Sequence, residues 1–189
     1  MPDTTQNTTP TTPAVNEETG LPAAILEAGH ILTTFVPGYG GIKDMANPTE
    51  AELNAEANLN VSAYLTSTGW KLNHTQESIK DDREASAEVG EIPGAEKFDG
   101  GSLQVINNVN SEGYANAAIE TLVKGTKGYL VRRRGAGQSA YKAGQKVSVF
   151  KTTIGIATPV AHADNARMMS TISFSVAPGS KDETATVVA

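Results

Sequence analysis

The chain has 189 residues and a formal net charge of −6, from 15 basic and 21 acidic side chains. It contains no cysteine, which excludes disulfides, thiolate metal sites and a cysteine nucleophile. Three histidines and an aromatic content of 5% leave little with which to line a carbohydrate or nucleotide pocket, and the negative balance argues against a protein that grips phosphate.

The length predicts one domain plus extensions. The charge is divided along the chain: residues 1–100 carry 16 acidic and 5 basic side chains, residues 101–189 carry 5 and 10. A random surface gives such a split as readily as a head-to-tail subunit whose acidic surface meets a basic one. The first twenty residues lack a basic start and an apolar stretch, and no apolar run approaches the roughly 18 residues of a membrane helix. Intracellular synthesis and no membrane span are therefore expected.

In chain order, residues 1–19 are a low-complexity Thr/Pro segment that cannot bury enough surface to offset its ordering entropy, and they read as a flexible arm. Residues 20–58 read as a docking extension. Its apolar anchors Ile25, Leu26, Ile31, Leu32, Phe35 and Val36 pack on the domain or on a neighbouring subunit, and Pro37 to Gly41 form a turn. Thr49 and Glu52 have the spacing of a capping box, predicting a short helix through Ala57. From residue 59 the period is two: Val61, Ala63 and Leu65 predict a strand, Ser67-Thr68-Gly69 a turn, and Trp70 and Leu72 the next strand. Residues 76–100 are acidic and broken by Gly90, Pro93 and Gly94, so they read as a long loop or a hairpin with a solvated tip.

Leu103 and Val105 mark another strand. Ala115, Ala118, Ile119, Leu122 and Val123 then form one helical stripe, with Asn110 or Ser111 to cap its start and Gly125 to end it. Strands resume at Gly128–Arg134, from Lys146 through Ile154, at Ile172–Val176 and at Thr184–Val188. Six to eight strands and one good helix predict a mainly β fold: an antiparallel sandwich or barrel with a flanking α-helix, a long loop and extended terminal arms. Residues 59–189 form its domain.

The residues that could carry chemistry do not assemble into a site. His162-Ala163-Asp164 pairs a histidine with an acid but has no marked nucleophile. His30, His74 and His162 are isolated, without metal-ligand spacing. Asp81, Asp82 and Glu84 cluster carboxylates without the glycine and terminal glutamate of a calcium loop. Gly135-Ala136-Gly137 leads toward a strand rather than a helix, the wrong context for a phosphate cradle. No catalytic residue, cofactor or metal is expected. Arg132, Arg133 and Arg134 are either solvated or, in the reading we favour, paired with acids of a neighbouring subunit. Asp81, Asp82 and Glu84 are either a solvated charged run or further inter-subunit contacts, because arms, acidic loops and open strand edges suit an assembling chain.

Several of these segments, in order, resemble phage tail tube (major tail) proteins of actinophages with long non-contractile tails. They are Ala63-Tyr64-Leu65-Thr66, Gly69-Trp70-Lys71-Leu72 with Glu77 through Arg83, Lys124 through Arg132 after the helix, Ala143 through Val147, and Ile172 through Val176. The resemblance covers residues 60–189. It implies a β-sandwich with a flanking helix, six subunits closed into a ring, and rings stacked head to tail into a tube. Loops and arms bridge the rings, and DNA passes through the lumen to the host during ejection. An acidic lumen would let DNA slide without sticking. The implied partners are copies of the chain itself, the tape measure protein and viral DNA in the lumen, and the tail terminator and distal tail proteins. The implied location is the virion, after synthesis in the host cytoplasm. A different class remains open: a capsid decoration or host-adhesion β-sandwich, tethered by the Thr/Pro arm. The lack of aromatic clusters counts against a sugar-binding version of it.

Overall fold

The structure is a computed structural model that describes Val15 and residues 19–189. The arm expected at 1–19 lies, apart from Val15 and Thr19, outside the described residues. The elements are β1 (Ile31–Pro37), α1 (Glu50–Leu53), β2 (Leu59–Asn60), β3 (Leu65–Asp81), β4 (Gly90–Ile106), α2 (Ala117–Thr121), β5 (Lys127–Arg134), β6 (Lys146–Pro159), β7 (Met169–Val176) and β8 (Lys181–Thr186). The strands form one antiparallel sheet in the order β2-β1-β5-β6-β7-β4-β3, with β8 also paired to β6.

The sheet curls into a half-barrel. Trp70 on β3 lies 5.7 Å from the Phe150 ring on β6, although β4 and β7 separate the two strands in the sheet. Only a strongly twisted, coiled sheet brings such distant strands together. Phe35, Leu103, Leu130, Phe150, Ile154 and Ile172 form the core on this side, and Ala118 and Leu122 of the α2 region close it. A second core covers the other face. There Leu32, Val36, Tyr129, Val131, Val147 and Val149 pack beneath Leu53, Tyr141, Ala185 and Val187. Both faces of the central strands are thus buried, which is why Leu32 through Val36 form an unbroken buried run.

The expected mainly β architecture is what forms, with eight strands among the described residues. Several local expectations are corrected. Ser67-Thr68-Gly69 is not a turn but an irregular stretch inside β3, where the register with β4 shifts between Leu65 and Trp70. A Cβ on Gly69 would lie 2.5 Å from the Gln104 carbonyl oxygen, so the residue marks a close strand approach. The helix expected across 115–123 spans only Ala117–Thr121, begins after Asn116 rather than Asn110 or Ser111, and leaves Val123 exposed. The acidic 76–100 region is a hairpin: β3 and β4 pair from Asp81↔Gly90 inward. The capping box forms as expected, with Thr49 Oγ1 accepting from Glu52 N and Glu52 Oε2 from Thr49 N, but α1 ends at Leu53 rather than Ala57. The last strand lies at Lys181–Thr186 rather than 184–188. Of the anchors in 20–36, those on β1 enter the sheet, whereas Ile25 and Leu26 project from this chain at 70% and 82% exposure.

Candidate functional site

Three surfaces can engage another molecule: the hairpin, the arginine strand and the open side of the half-barrel. The β3–β4 hairpin projects because β4 pairs with β7 only at Ser102 to Ile106, leaving Gly90 to Gly101 paired with β3 alone. At ~3.3 Å per residue the projecting arm is about 40 Å long. Its tip carries Asp81, Asp82, Glu84, Glu88 and Glu91, against two cations: Arg83, whose Nε lies 2.8 Å from Asp81 Oδ1, and Lys80, opposite Glu91 in the register. Ile79 and Ile92 face each other across the strands and are both exposed. The tip is therefore anionic with an apolar flank.

At the arm's root, His74 stacks on Phe98 at 4.1 Å between centroids. Its two nitrogens lie 3.5 Å from Glu96 Oε2 and 3.3 Å from Asp182 Oδ2. The histidine thereby links the hairpin to β8; it is a structural contact.

The three arginines of β5 have three separate roles. Arg132 places its guanidinium carbon 4.7 Å from the Trp70 ring centre, and burial there lowers its pKa while Glu27 acts in the opposite direction. Arg134 is exposed and pairs with Glu27 at 3.4 Å and Glu183 at 3.2 Å. Arg133 is fully buried. It donates to the carbonyls of Gly137, Ser139 and Ala140 and to Gln145 Oε1, and lies over the Tyr141 ring. The idea that all three arginines reach a neighbour is thus corrected for Arg133. Strand alternation turns Arg133 to the same side as Tyr129 and Val131, and the 137–145 loop wraps it. The loop turns carbonyls inward, a cradle for a cation and the reverse of a phosphate site. Period-two counting through β5 contained the signal for this. Among the described residues no ion pair joins Asp81, Asp82 or Glu84 to these arginines.

The open side of the half-barrel is a seam of about 610 Å³ between β3 and β1. Leu65, Ser67 and Trp70 line one wall, and Ile31, Thr33 and Arg132 the other. The β1 wall is already satisfied in part. Thr33 N donates to Ser62 Oγ at 2.7 Å, Ser62 Oγ donates to the Ile31 carbonyl, and Gln138 Nε2 also donates to that carbonyl. Thr33 Oγ1 is buried without a hydrogen-bond partner. On the opposite wall, the outer edge of β3 has no strand partner among the described residues. Thr33, Ser62 and Gln138 were not singled out from sequence, and no short motif marks them.

The remaining candidates stay apart. His30, His162 and Asp164 are exposed, and among the described residues no three His, Cys, Asp or Glu side chains are grouped to hold a metal ion. No described helix is long and apolar enough to cross a membrane.

A curled antiparallel sheet with a projecting acidic hairpin and an uncovered seam defines a mainly β structural protein. The sequence matches the family described as phage tail tube protein over residues 20–189, and the chain belongs to that family. It is accordingly a structural component of a phage virion and not an enzyme. No curated relative matches the sequence. Among solved structures, the chain is similar to one in the cryo-EM structure of the anti-feeding prophage baseplate, 6-fold symmetrised. Identity is 8%, the match covers 82% of this chain and 93% of that one, and the TM-score is 0.49.

Proposed function

We propose that the chain closes hexameric rings which stack head to tail into the tube of a long non-contractile tail, through which DNA passes to the host. Membership of the tail tube family carries this reading. The free outer edge of β3 and the projecting hairpin support it, because open strand edges and arms are what an isolated domain suppresses and an assembling one exposes. Residues 59–189 would form the ring-building domain, with 20–58 as an extension whose β1 strand completes its sheet.

Between copies, Asp81, Asp82 and Glu84 at the hairpin tip would meet the cationic side of β5, where Arg132 and Arg134 are the available partners and Arg133 is not. The excess of acid in the first half of the chain favours a lumen that repels phosphate. The tape measure protein and DNA would occupy the lumen, and the tail terminator and distal tail proteins would meet the tube's ends. Synthesis would be in the host cytoplasm.

Negative-stain micrographs of the purified protein test the reading directly. Rings with six subunits, or tubes built from them, are expected. A chain that stays monomeric at high concentration and in the presence of tail assembly factors would sink it. A monomer or trimer that bound capsid or cell wall would instead indicate a decoration or adhesion module.

A further inference from the structure

We infer that the seam of the half-barrel receives the apolar segment 20–26 of a neighbouring copy, laid along the free edge of β3. The inference rests on the reading that copies of this chain associate, and it assigns one contact of that association.

Four observations point to the seam and its occupant. First, the two walls differ. On β1 the amide of Thr33 and the carbonyl of Ile31 are already bonded by Ser62 and Gln138, so a strand cannot add there without displacing them. The outer edge of β3 has no such guards, so an incoming strand finds its backbone partners on that wall.

Second, the seam holds a polar group with nothing to bond. Thr33 is wholly buried, and its Oγ1 lacks a partner. The oxygen is already closed to solvent, so it offers an entering segment no partner on the β1 wall and leaves the β3 edge as the receiving side.

Third, the cavity offers apolar side chains within a mixed lining that also holds Thr66, Ser67, Arg132 and Gln138. Leu65, Trp70 and Ile31 line a volume of about 610 Å³, within the ~300–1,000 Å³ of ordinary binding clefts.

Fourth, this chain contains a segment whose apolar side chains its own fold leaves largely exposed. Residues 20–26 read Gly-Leu-Pro-Ala-Ala-Ile-Leu, uncharged, with an isolated bridge from Pro22 to Val15 and with Ile25 and Leu26 at the edge of a cleft beside Arg132 and Arg134. Leu21, Ile25 and Leu26 are 63%, 70% and 82% exposed. The segment leaves the fold next to the seam, since Glu27, Ala28 and Gly29 form its lip. Glu27 is tied to Arg134 at 3.4 Å and Gly135 N donates to the His30 carbonyl at 2.8 Å, which fixes the exit point while the apolar side chains project outward. Gly29, at φ 77°, gives the exit its turn. A segment anchored at its exit and apolar beyond it is built to reach the next copy.

The absence of native cysteine makes the test clean. Leu26→Cys and Ser67→Cys are made in separate full-length chains, mixed and allowed to assemble, then oxidised. If the inference holds, disulfide-linked dimers of the two variants accumulate in rings or tubes. Rings or tubes without that dimer overturn the contact and leave the functional reading standing. Linkage found only inside one chain, in the Leu26→Cys/Ser67→Cys double variant, overturns it as well, because the segment then closes its own seam. A protein that forms no rings or tubes fails the functional reading, and the contact falls with it. As a second readout, Ile25→Asp with Leu26→Asp should leave circular dichroism unchanged and raise the critical concentration for assembly at least about tenfold. An unchanged critical concentration in a folded variant would also overturn the inference.

Discussion

Arg132 lies over the ring of Trp70 at the open side of the half-barrel, with the guanidinium carbon 4.7 Å from the indole centre. The contact joins β5 to β3, strands separated in the sheet by β6, β7 and β4. It therefore holds the curl rather than any one strand pairing. Cation–π contacts of this partly desolvated kind contribute about 1–2 kcal/mol. Arg132→Ala should lower stability by about that amount, and a double-mutant cycle with Trp70→Leu should show the two effects to be coupled. Additive losses in denaturant melts would show that the pair does not hold the curl.

Arg133 is a different case. Its guanidinium satisfies the carbonyls of Gly137, Ser139 and Ala140 and the Gln145 side chain, so the charge organises the loop between β5 and β6. Arg133→Met keeps much of the packing volume but removes every donor, leaving those acceptors unpaired. The expected cost is about 3–4 kcal/mol, with proteolytic cleavage appearing in the 135–145 loop. A variant as stable and as resistant as the parent would contradict this role.

Tyr141 gives the fold a defined alkaline limit. Burial pushes its pKa up to about 12, while the Thr34 hydroxyl 3.0 Å away, which can donate to a phenolate, and the Arg133 charge act in the opposite direction. The folded state thus holds the neutral phenol more tightly than the unfolded chain, whose tyrosine titrates near about 10. The associated stability is complete below that unfolded value and is lost as pH rises through the folded one. Between about pH 10 and 12 the loss should be of the order of 2–3 kcal/mol. Burial raises the Tyr129 pKa too, so its contribution has the same sign. Tyr141→Phe should be less stable at neutral pH, by about 1 kcal/mol for the lost hydrogen bond, yet show a flatter decline above pH 10. An unchanged alkaline slope in guanidinium titrations would rule Tyr141 out as its source.

The parts of the fold legible in sequence are those set by local chemistry. Thr49 and Glu52 announced their capping box because the two reciprocal bonds need only neighbouring residues. The period-two runs at Val147–Val149 and Ile172–Phe174 marked strands because alternate side chains point to opposite faces of a sheet. What escaped depends on partners distant in sequence. Ser67-Thr68-Gly69 has turn composition, yet β4 holds it inside a strand, with Gly69 pressed against Gln104. The stripe ending in Leu122 and Val123 suggests more helix than forms, because Leu122 is drawn into the sheet core as the chain turns toward Gly125. The seam was illegible for the same reason: Thr33, Ser62 and Gln138 lie far apart in the chain, and the pairing of β1 with β2 and β5 brings them together.

The hairpin tip supplies the last prediction. Asp81, Asp82 and Glu84 lie on an arm that projects beyond the strands flanking it, so they support no core and their removal should not disturb folding. Replacing all three with Asn, Asn and Gln keeps shape and removes three negative charges. If these acids meet Arg132 and Arg134 of a neighbouring copy, the variant should melt within about 0.5 kcal/mol of the parent while its assembly weakens and loses most of its salt dependence. Exposed charges attract over roughly 10 Å at 0.1 M salt, so parent assembly should fall as salt is raised and variant assembly should hardly respond. Sedimentation of assembled material across a salt series reads both effects. Equal salt dependence in the two proteins would place the acidic tip outside the contact and direct attention to the apolar flank formed by Ile79 and Ile92.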